Sequence, residues 1–201
     1  SGPAARRWAL ALREEHDAIL VGSGTVLADD PRLDRRGVRT DRLSAAPILR
    51  VVLDRRLRTP ESAKLFSIAG PVRIYTESED AAATANLGAR GATVVHLPRV
   101  TPETVLAELG TQGVSSVLVE GGREVATSFF DARLFDRLEI AAAARLIGGV
   151  HAPGPVGGPG VTALAEAPSI EGLKARKCGS DLVLSGFSSK CLRELFASLE
   201  L

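Results

Sequence analysis

Short apolar runs alternate with amphipathic helical segments along most of this 201-residue sequence. This alternation is typical of an α/β fold, in which helices cover the faces of a sheet. We predict strands at Ala18–Val21, Ile48–Leu53, Val72–Thr76, Ala92–Leu97, Val117–Glu120, Asp136–Ile147 and near Asp181–Leu184. We predict helices at Pro3–His16, Thr25–Asp29, Asp80–Leu87, Thr101–Gly110, Arg123–Phe130 and Ser189–Leu199.

The composition favours one soluble domain. A hydrophobic content of 45% supports one sizeable core, so we predict a single domain over residues 1–201. Lys and Arg total 25 against 24 acidic residues, which argues against nucleic-acid and membrane-surface proteins because these usually carry a basic excess. No apolar run approaches the roughly 20 residues of a membrane span. Cys178 and Cys191 show no disulfide or zinc pattern, and we expect a cytoplasmic protein.

Several common chemistries are excluded by missing motifs. His16, His96 and His151 lack metal-ligand spacing, so we predict no metal site. The zinc-deaminase pattern, the G-x-S-x-G elbow and the G-x-x-x-x-G-K-[ST] phosphate loop are all absent. The dinucleotide pattern G-x-G-x-x-G also fails, because Leu27 stands where its third glycine belongs.

Two of the apolar runs end in glycines. Gly22-Ser23-Gly24 lies within Asp17–Leu33, and Gly121-Gly122 follows Ser116–Glu120. Glycines at a strand end expose bare backbone, which flat or phosphorylated ligands can approach closely. Gly121-Gly122 also precedes a helix whose amino end could receive a pyrophosphate, although a tight turn with positive φ fits equally well. Such sites suit a redox cofactor, which brings the difficult chemistry itself.

Arginines crowd the region after the first glycine pair. They are Arg32, Arg35, Arg36, Arg39 and Arg42 in one loop, followed by Arg50, Arg55, Arg56 and Arg58. A solvated face and a phosphate pocket fit this crowding about equally, since guanidinium groups hold phosphate bidentately. Arg13, near the end of the first helix, also fits simple compensation of the helix dipole.

The segments DAILVGSGTVLADDPRL and SVLVEGGREVATSFFDARLFDRLEIAAAARLIGG, starting at Asp17 and Ser116, resemble two long signatures of a known family. That family is the reductase domain of bacterial bifunctional riboflavin-biosynthesis proteins, and the resemblance extends from Pro3 to about Gly186. It implies a single dihydrofolate-reductase-like domain with a mixed, mostly parallel central sheet flanked by helices. It also implies NADPH-dependent reduction of 5-amino-6-(5-phosphoribosylamino)uracil, with hydride transfer to the ribose C1′.

The resemblance implies roles for individual residues. NADPH would contact Thr25, Asp29, Arg55, Gly121, Gly122, Arg123, Glu124, Val125, Ala126, Thr127 and Ser128. The substrate would contact Arg13, Leu33, Arg36 and Glu120, with the two arginines suited to its phosphate and Glu120 to its donor groups. Arg55 stands where the family commonly has a smaller polar residue, and could hold the 2′-phosphate of NADPH. No catalytic acid is assigned, and the candidates are Asp29 and Glu120.

The sequence departs from the family pattern at three places. The family usually opens with a strand carrying a Lys near an S-x-D-G run, whereas Ser1-Gly2-Pro3 is typical of a helix start. We therefore expect an upstream segment. Ala141–Ala144 replaces a stretch where the family tends to have proline. Residues 188–201 form a predicted helical extension whose apolar stripe must pack on its own domain or on a partner.

The resemblance also implies a homodimer and a phosphorylated ribosylaminopyrimidine as partner, with a deaminase either fused upstream or separate. Two alternative functions remain open. One is a related dihydrofolate-type or pyrimidinone reductase. The other is a catalytically silent domain that binds ligand or dimerises, which the missing opening strand would favour.

Overall fold

The computed structural model describes residues 1–35, 47–149, 152, 154–189 and 191. Its helices are α1 (Pro3–Leu12), α2 (Ser23–Asp29), α3 (Ala81–Ala89), α4 (Pro102–Thr111) and α5 (Arg123–Asp131). Its strands are β1 (Ala18–Gly22), β2 (Leu49–Leu53), β3 (Val72–Thr76), β4 (Ala92–His96), β5 (Val117–Val119), β6 (Arg137–Ala142), β7 (Ile170–Cys178) and β8 (Asp181–Ser188). Short 3₁₀ turns lie at Arg13–Glu15, Lys64–Phe66 and Leu164–Glu166.

Five parallel strands form the central sheet in the order β4-β3-β2-β1-β5. All five positions of β1 are buried, because this strand lies between neighbours and is covered on both faces. A strand in that position is a continuous apolar run, as the sequence shows at Ala18–Val21. The α/β class and the mostly parallel sheet are confirmed.

The three remaining strands form a separate antiparallel sheet in the order β6-β8-β7. The prediction that β6 continues to Ile147 is wrong, since the strand ends at Ala142. A turn follows at once, in which the Arg145 amide donates to the Ala143 carbonyl at 2.7 Å. Gly148 and Gly149 then take positive φ angles of 68° and 91°, which an extended strand cannot contain.

β7 is absent from the sequence-based prediction. It is a charged edge strand, IEGLKARKC, exposed at most positions, so it lacks the apolar alternation that marks a half-buried strand. β8 is longer than predicted and reaches Ser188. The predicted C-terminal helix beyond it lies outside the described residues, apart from Ser189 and Cys191.

The hydrophobic core occupies both faces of the central sheet. On one face, β1 to β3 pack against Val26 of α2, Leu65 of a 3₁₀ turn and Leu87 of α3. On the other face, they pack against Val105 of α4 and Phe129 of α5. α4 is also tied to β3 by Glu108, which accepts hydrogen bonds from Arg73 at 3.3 Å and from the Tyr75 hydroxyl. Burial is the main cause that raises the pKa of Tyr75, and the hydrogen bond to Glu108 is the second.

Arg50 of β2 is 1% exposed although it carries a charge. Its guanidinium donates to the carbonyls of Ile68 at 3.2 Å and Pro71 at 3.4 Å, and also to those of Leu65 and Gly70. Burial lowers the pKa of Arg50. Arg50 was predicted to belong to a surface or phosphate-binding cluster of arginines, and in the structure it is instead the internal anchor of residues 65–71.

Candidate active site

The carboxyl ends of the parallel strands form the candidate site. From β1 the chain runs outward through β2, β3 and β4, and then returns to β5 on the opposite side of β1. In open α/β sheets, ligands bind outside the carboxyl ends of the strands where the strand order reverses in this way. That position lies between β1 and β5, where both glycine-bearing segments of the sequence end.

A direct hydrogen bond joins the two glycine-bearing segments. The Gly122 amide donates to the Thr25 hydroxyl oxygen at 3.0 Å, which connects the start of α5 to α2. Asp29 lies four residues after Thr25, so both side chains share one face of α2. The Asp29 side chain is exposed and has no hydrogen bond or ion pair within the part of the chain that the structure describes.

The amino end of α5 is open to solvent. The helix starts at Arg123 with no side-chain cap, and Gly122, Arg123 and Glu124 are exposed. Its first amides and its dipole therefore suit an anion. Further along the helix, the Thr127 hydroxyl donates to the Arg123 carbonyl and accepts from the Gly157 amide at 2.7 Å. The Ser128 hydroxyl donates to the Val125 carbonyl at 2.8 Å, so the open groups lie at the first turn.

Two of the glycines are required by helix packing. A Cβ atom on Gly22 would lie 2.8 Å from Val125 Cγ2, and one on Gly121 would lie 2.9 Å from Val125 Cβ. The absence of these side chains lets α5 approach the ends of β1 and β5. Gly24, by contrast, has no neighbouring atom within 4 Å of its Cβ position, so a side chain there would enter open space.

Gly22→Ala should destabilise the fold and displace the amino end of α5. The φ of Gly22 is −88°, which alanine adopts readily, so the clash with Val125 is the cause. Overpacking of this kind typically costs about 1–3 kcal/mol in the free energy of unfolding. Urea denaturation measures the loss. Gly24→Ala is the matched control and should be neutral or slightly stabilising in a helix.

The double variant Gly22→Ala, Val125→Ala separates the clash from other effects. Val125→Ala removes the Cγ2 atom that the new Cβ would meet. The double variant should therefore lose less stability than the two single losses added together. Additive losses would show that Val125 is not what requires the glycine.

Arg13 and Glu120 form a bidentate ion pair beside the strand ends. Arg13 Nε donates to Glu120 Oε1 at 2.7 Å, and Arg13 Nη2 donates to Glu120 Oε2 at 2.6 Å. A third bond runs from Arg13 Nη1 to the Asp34 carbonyl at 2.7 Å. The side chains are 10% and 26% exposed. Two residues that the sequence analysis expected to contact substrate are thus brought together, in contact with each other.

The segment after α2 has unusual backbone geometry. Asp30 and Leu33 have φ angles of 43° and 53°, a left-handed conformation that is costly for non-glycine residues and that clusters at functional sites. Asp30 is held by the Lys64 amide at 2.8 Å and by Lys64 Nζ at 3.1 Å. These hydrogen bonds, chiefly the one from the amide, lower the pKa of Asp30.

The other predicted substrate contacts differ in accessibility. The Leu33 side chain is 1% exposed and belongs to the core, so only its backbone is available to a ligand. Arg36 lies outside the described residues, as do Arg39 and Arg42. Arg35 donates to the carbonyls of Arg13 at 3.1 Å and His16 at 2.6 Å, which fixes this segment against the end of α1.

Sequence reasoning did not identify Asp34 as part of this site. Asp34 Oδ2 lies 3.2 Å from Arg32 Nε, and its carbonyl accepts from Arg13. The only local signal is one acid among the crowded arginines.

Within the described ranges, no group of three or more His, Cys, Asp or Glu side chains could hold a metal ion. No described helix is both long and apolar enough to cross a membrane.

Comparison with known proteins identifies the family. The model of the family described as RibD C-terminal domain matches residues 1–184.

The chain belongs to the RibD C-terminal domain family.

Members of this family from distant organisms align over most of the chain. The riboflavin biosynthesis protein RibD of Bacillus amyloliquefaciens is 38% identical over 189 residues, covering 90% of this chain and 49% of that protein. The 2,5-diamino-6-ribosylamino-4(3H)-pyrimidinone 5′-phosphate reductase of Methanothermobacter thermautotrophicus is 34% identical over 178 residues, covering 86% of this chain and 80% of that protein. The chain thus spans about half the length of the Bacillus RibD protein.

A solved structure of this family confirms the fold. The RibD structure from Acinetobacter baumannii superposes with a TM-score of 0.81 at 24% sequence identity, over 94% of this chain and 51% of that one. The dihydrofolate-reductase-like fold implied by the sequence resemblance is therefore confirmed. At this identity the likeness shows the fold alone.

Proposed function

We propose that this RibD-family chain reduces 5-amino-6-(5-phosphoribosylamino)uracil to its 5-phosphoribitylamino product with NADPH. The proposal rests on two features that lie together at one edge of the sheet, the exposed amino end of α5 and the Arg13–Glu120 ion pair. The Thr25–Gly122 contact lies at the exposed amino end of α5, and the Arg13–Glu120 pair lies beside it at the end of β5. The amino end of α5 suits an anionic cofactor, and the Arg13–Glu120 pair suits a polar substrate.

The cofactor side is assigned from the position of each group. The first turn of α5, within Gly121–Ser128, would receive the pyrophosphate, with Thr25 and Asp29 toward the nicotinamide. Arg55 follows β2 on the same edge and is 66% exposed, which suits the 2′-phosphate. NADPH bound here would supply a hydride. The protein would exclude water and hold the donor in line with the ribose C1′.

The substrate side would use Arg13, Leu33, Arg36 and Glu120. Reduction adds hydride to C1′ of the ring-opened imine and a proton to the neighbouring nitrogen, which leaves a secondary amine. Both oxygens of Glu120 accept from Arg13, so we assign Glu120 to orienting donor groups of the substrate. The proton would come from water next to the exposed Asp29 side chain, which has no partner among the described residues and can orient that water.

A pyrimidinone substrate is the second candidate. It is favoured by the Methanothermobacter relative, whose name specifies a 2,5-diamino-6-ribosylamino-4(3H)-pyrimidinone 5′-phosphate. The two substrates differ in the amino and oxo groups of the ring, and both carry the ribose phosphate. They therefore place the same demands on a phosphate site and different demands on the groups that contact the ring.

A single assay separates the candidates. The purified chain is mixed with NADPH and each pyrimidine phosphate in turn while nicotinamide absorbance is followed. NADPH carrying deuterium at the transferred position should place the label on C1′ of the product, as detected by mass spectrometry. If NADPH is oxidised only in the presence of the pyrimidinone, the second candidate replaces the first. Cofactor binding with no reduction of either substrate would indicate a silent binding domain.

The proposal includes a homodimer and a cytoplasmic location. Self-association is supported by large apolar side chains exposed on and around the second sheet, where Leu182 is 51% and Leu173 is 59% exposed. Light scattering should give the mass of a dimer, and a monomer at micromolar concentration would contradict it. Cys178, which forms no disulfide among the described residues, suits a reducing compartment. A deaminase partner, fused or separate, is supported by the greater length of the Bacillus relative.

A further inference from the structure

The turn that carries Arg13 is held by the side chain of Arg35. Arg35 Nε donates to the Arg13 carbonyl at 3.1 Å, and Arg35 Nη2 donates to the His16 carbonyl at 2.6 Å. These carbonyls lie in the 3₁₀ turn Arg13–Glu15 and directly after it, at the carboxyl end of α1. The last carbonyls of a helix have no partner within it, and a cation there also compensates the helix dipole. Arg35 therefore fixes the backbone of this turn.

Arg35 has a buried counter-charge in the same turn. The Glu14 side chain is 5% exposed, and its Oε2 atom lies 3.8 Å from Arg35 Nε. That oxygen accepts no hydrogen bond from the described residues, so the positive charge of Arg35 offsets the cost of burying it. The next residue, Glu15, pairs with a different arginine, since its Oε2 atom lies 3.0 Å from Nη1 of Arg137 in β6.

The segment after α2 holds Arg13 at both ends. At the tip of the side chain, the Asp34 carbonyl accepts from Arg13 Nη1 at 2.7 Å, and at the other end Arg35 binds the Arg13 carbonyl. Leu33, just before them, is 1% exposed and anchors this segment in the core. Two adjacent residues of one anchored segment thus set both where the Arg13 side chain starts and where its guanidinium lies.

We infer that Arg35 is a positioning residue for the reduction. By holding the Arg13 backbone it keeps the Arg13 guanidinium in its bidentate contact with Glu120, while Glu14 balances its charge. Arg35 acts in this way without touching substrate or cofactor. A misplacement of about 1 Å in an orienting group can lower a rate about a hundredfold. The inference rests on the proposed function for the reaction, whereas the effect on the Arg13–Glu120 pair does not depend on it.

Nitrogen-15 NMR of the arginine side chains tests the positioning without turnover. Arg13→Lys assigns the Nε–H signal of Arg13 by removing it. In the unmodified chain this proton should exchange slowly with water, because it is bonded to Glu120 and the side chain is 10% exposed. Arg35→Gln should speed the exchange about tenfold, since the pair opens more often when the backbone of the turn is released. An unchanged exchange rate would overturn the inference.

Steady-state kinetics tests the consequence for the reaction. Arg35→Gln should lower kcat about tenfold to hundredfold and leave the KM for NADPH unchanged. Because Arg35 acts through Arg13, the double variant Arg13→Ala, Arg35→Gln should have the same kcat as Arg13→Ala alone. Multiplied losses would show that the two residues act independently, and either that result or an unchanged kcat for Arg35→Gln would overturn the inference.

The matched control is Arg137→Gln. It makes the same change of side chain and removes the partner of Glu15, which belongs to the same turn. The exchange of the Arg13 proton and kcat should both stay as in the unmodified chain. Equal effects of Arg137→Gln and Arg35→Gln would show only a general loosening of the turn and would overturn the inference.

A further double variant separates positioning from charge balance. Arg35→Gln removes the counter-charge of the buried Glu14 carboxylate, so it should also lower the free energy of unfolding. Adding Glu14→Gln removes that carboxylate and should recover most of the stability, as measured by urea denaturation. Exchange of the Arg13 proton should stay fast and kcat should stay low in this double variant. Recovery of all three properties would show that Arg35 only balances Glu14, and would overturn the inference.

The outcomes distinguish this inference from the proposed function. If neither pyrimidine phosphate is reduced, but Arg35→Gln speeds the exchange and Arg137→Gln does not, the positioning of Arg13 by Arg35 stands and the reductase proposal fails. If a pyrimidine phosphate is reduced, and Arg35→Gln changes neither the exchange nor kcat, the reductase proposal stands and the inference is overturned.

Discussion

Arg50→Ala should lower the free energy of unfolding by about 3–5 kcal/mol, because it leaves partly or fully buried carbonyls without donors and opens a cavity beside β2. The side chain is 1% exposed, so water cannot readily replace the lost hydrogen bonds. Urea denaturation gives the change. The loss of packing by the long aliphatic stem adds to the effect of the missing charge.

Two variants show whether the Arg50 guanidinium itself accounts for the expected loss of stability. Arg50→Lys keeps a positive charge but lacks the planar fork that reaches several carbonyls at once, so an intermediate loss is expected. Arg56→Ala removes an exposed arginine a few residues away and should change stability by less than about 0.5 kcal/mol. A loss below about 1 kcal/mol for Arg50→Ala would mean that other donors or water satisfy residues 65–71.

Arg13→Ala should affect both stability and turnover. Glu120 would lose its bidentate partner and the Asp34 carbonyl would lose a donor, at a cost of about 1.5–3 kcal/mol in unfolding free energy. If Arg13 acts mainly by orienting Glu120, kcat should fall by about a hundredfold, and Glu120→Gln should cause a similar fall. The measurements are urea denaturation and steady-state kinetics with the phosphorylated pyrimidine.

A double-mutant cycle distinguishes orientation from direct phosphate binding. In the orientation case, the double variant Arg13→Ala, Glu120→Gln should be little worse than either single variant. In the phosphate case, Arg13→Ala should mainly raise KM, and the two losses should add. Arg73→Ala breaks a comparably buried ion pair between β3 and α4, and should reduce stability with no effect on kcat. A fall in kcat for Arg73→Ala would show that the assay reports stability.

The central sheet was readily predictable from the sequence, because buried parallel strands are continuous apolar runs. The bounds predicted for β3, Val72–Thr76, are those observed. β7 was not predictable in the same way, since a charged and largely exposed strand carries no apolar alternation. The end of β6 was overestimated because Leu146 and Ile147 resemble strand residues but lie 103% and 84% exposed after a turn.

The candidate site was predictable in its location and less so in its contacts. Glycines after two apolar runs indicated both strand ends, and the topology brings those ends together. The pairing of Arg13 with Glu120 joins residues 107 positions apart, so no local pattern could reveal it. The burial of Arg50 was likewise hidden, because an arginine inside an apolar strand shows nothing of the carbonyls that later surround it.

The hydrogen bond between Thr25 and Gly122 joins positions 97 residues apart and depends on β5 having paired with β1. Closing so long a loop costs chain entropy before the contact can offset it, so we expect this edge to be completed late in folding. A nucleotide that binds only the completed edge would stabilise the folded chain by mass action. Cofactor supply would then govern how long each newly made molecule survives proteolysis, in addition to how fast it turns over substrate.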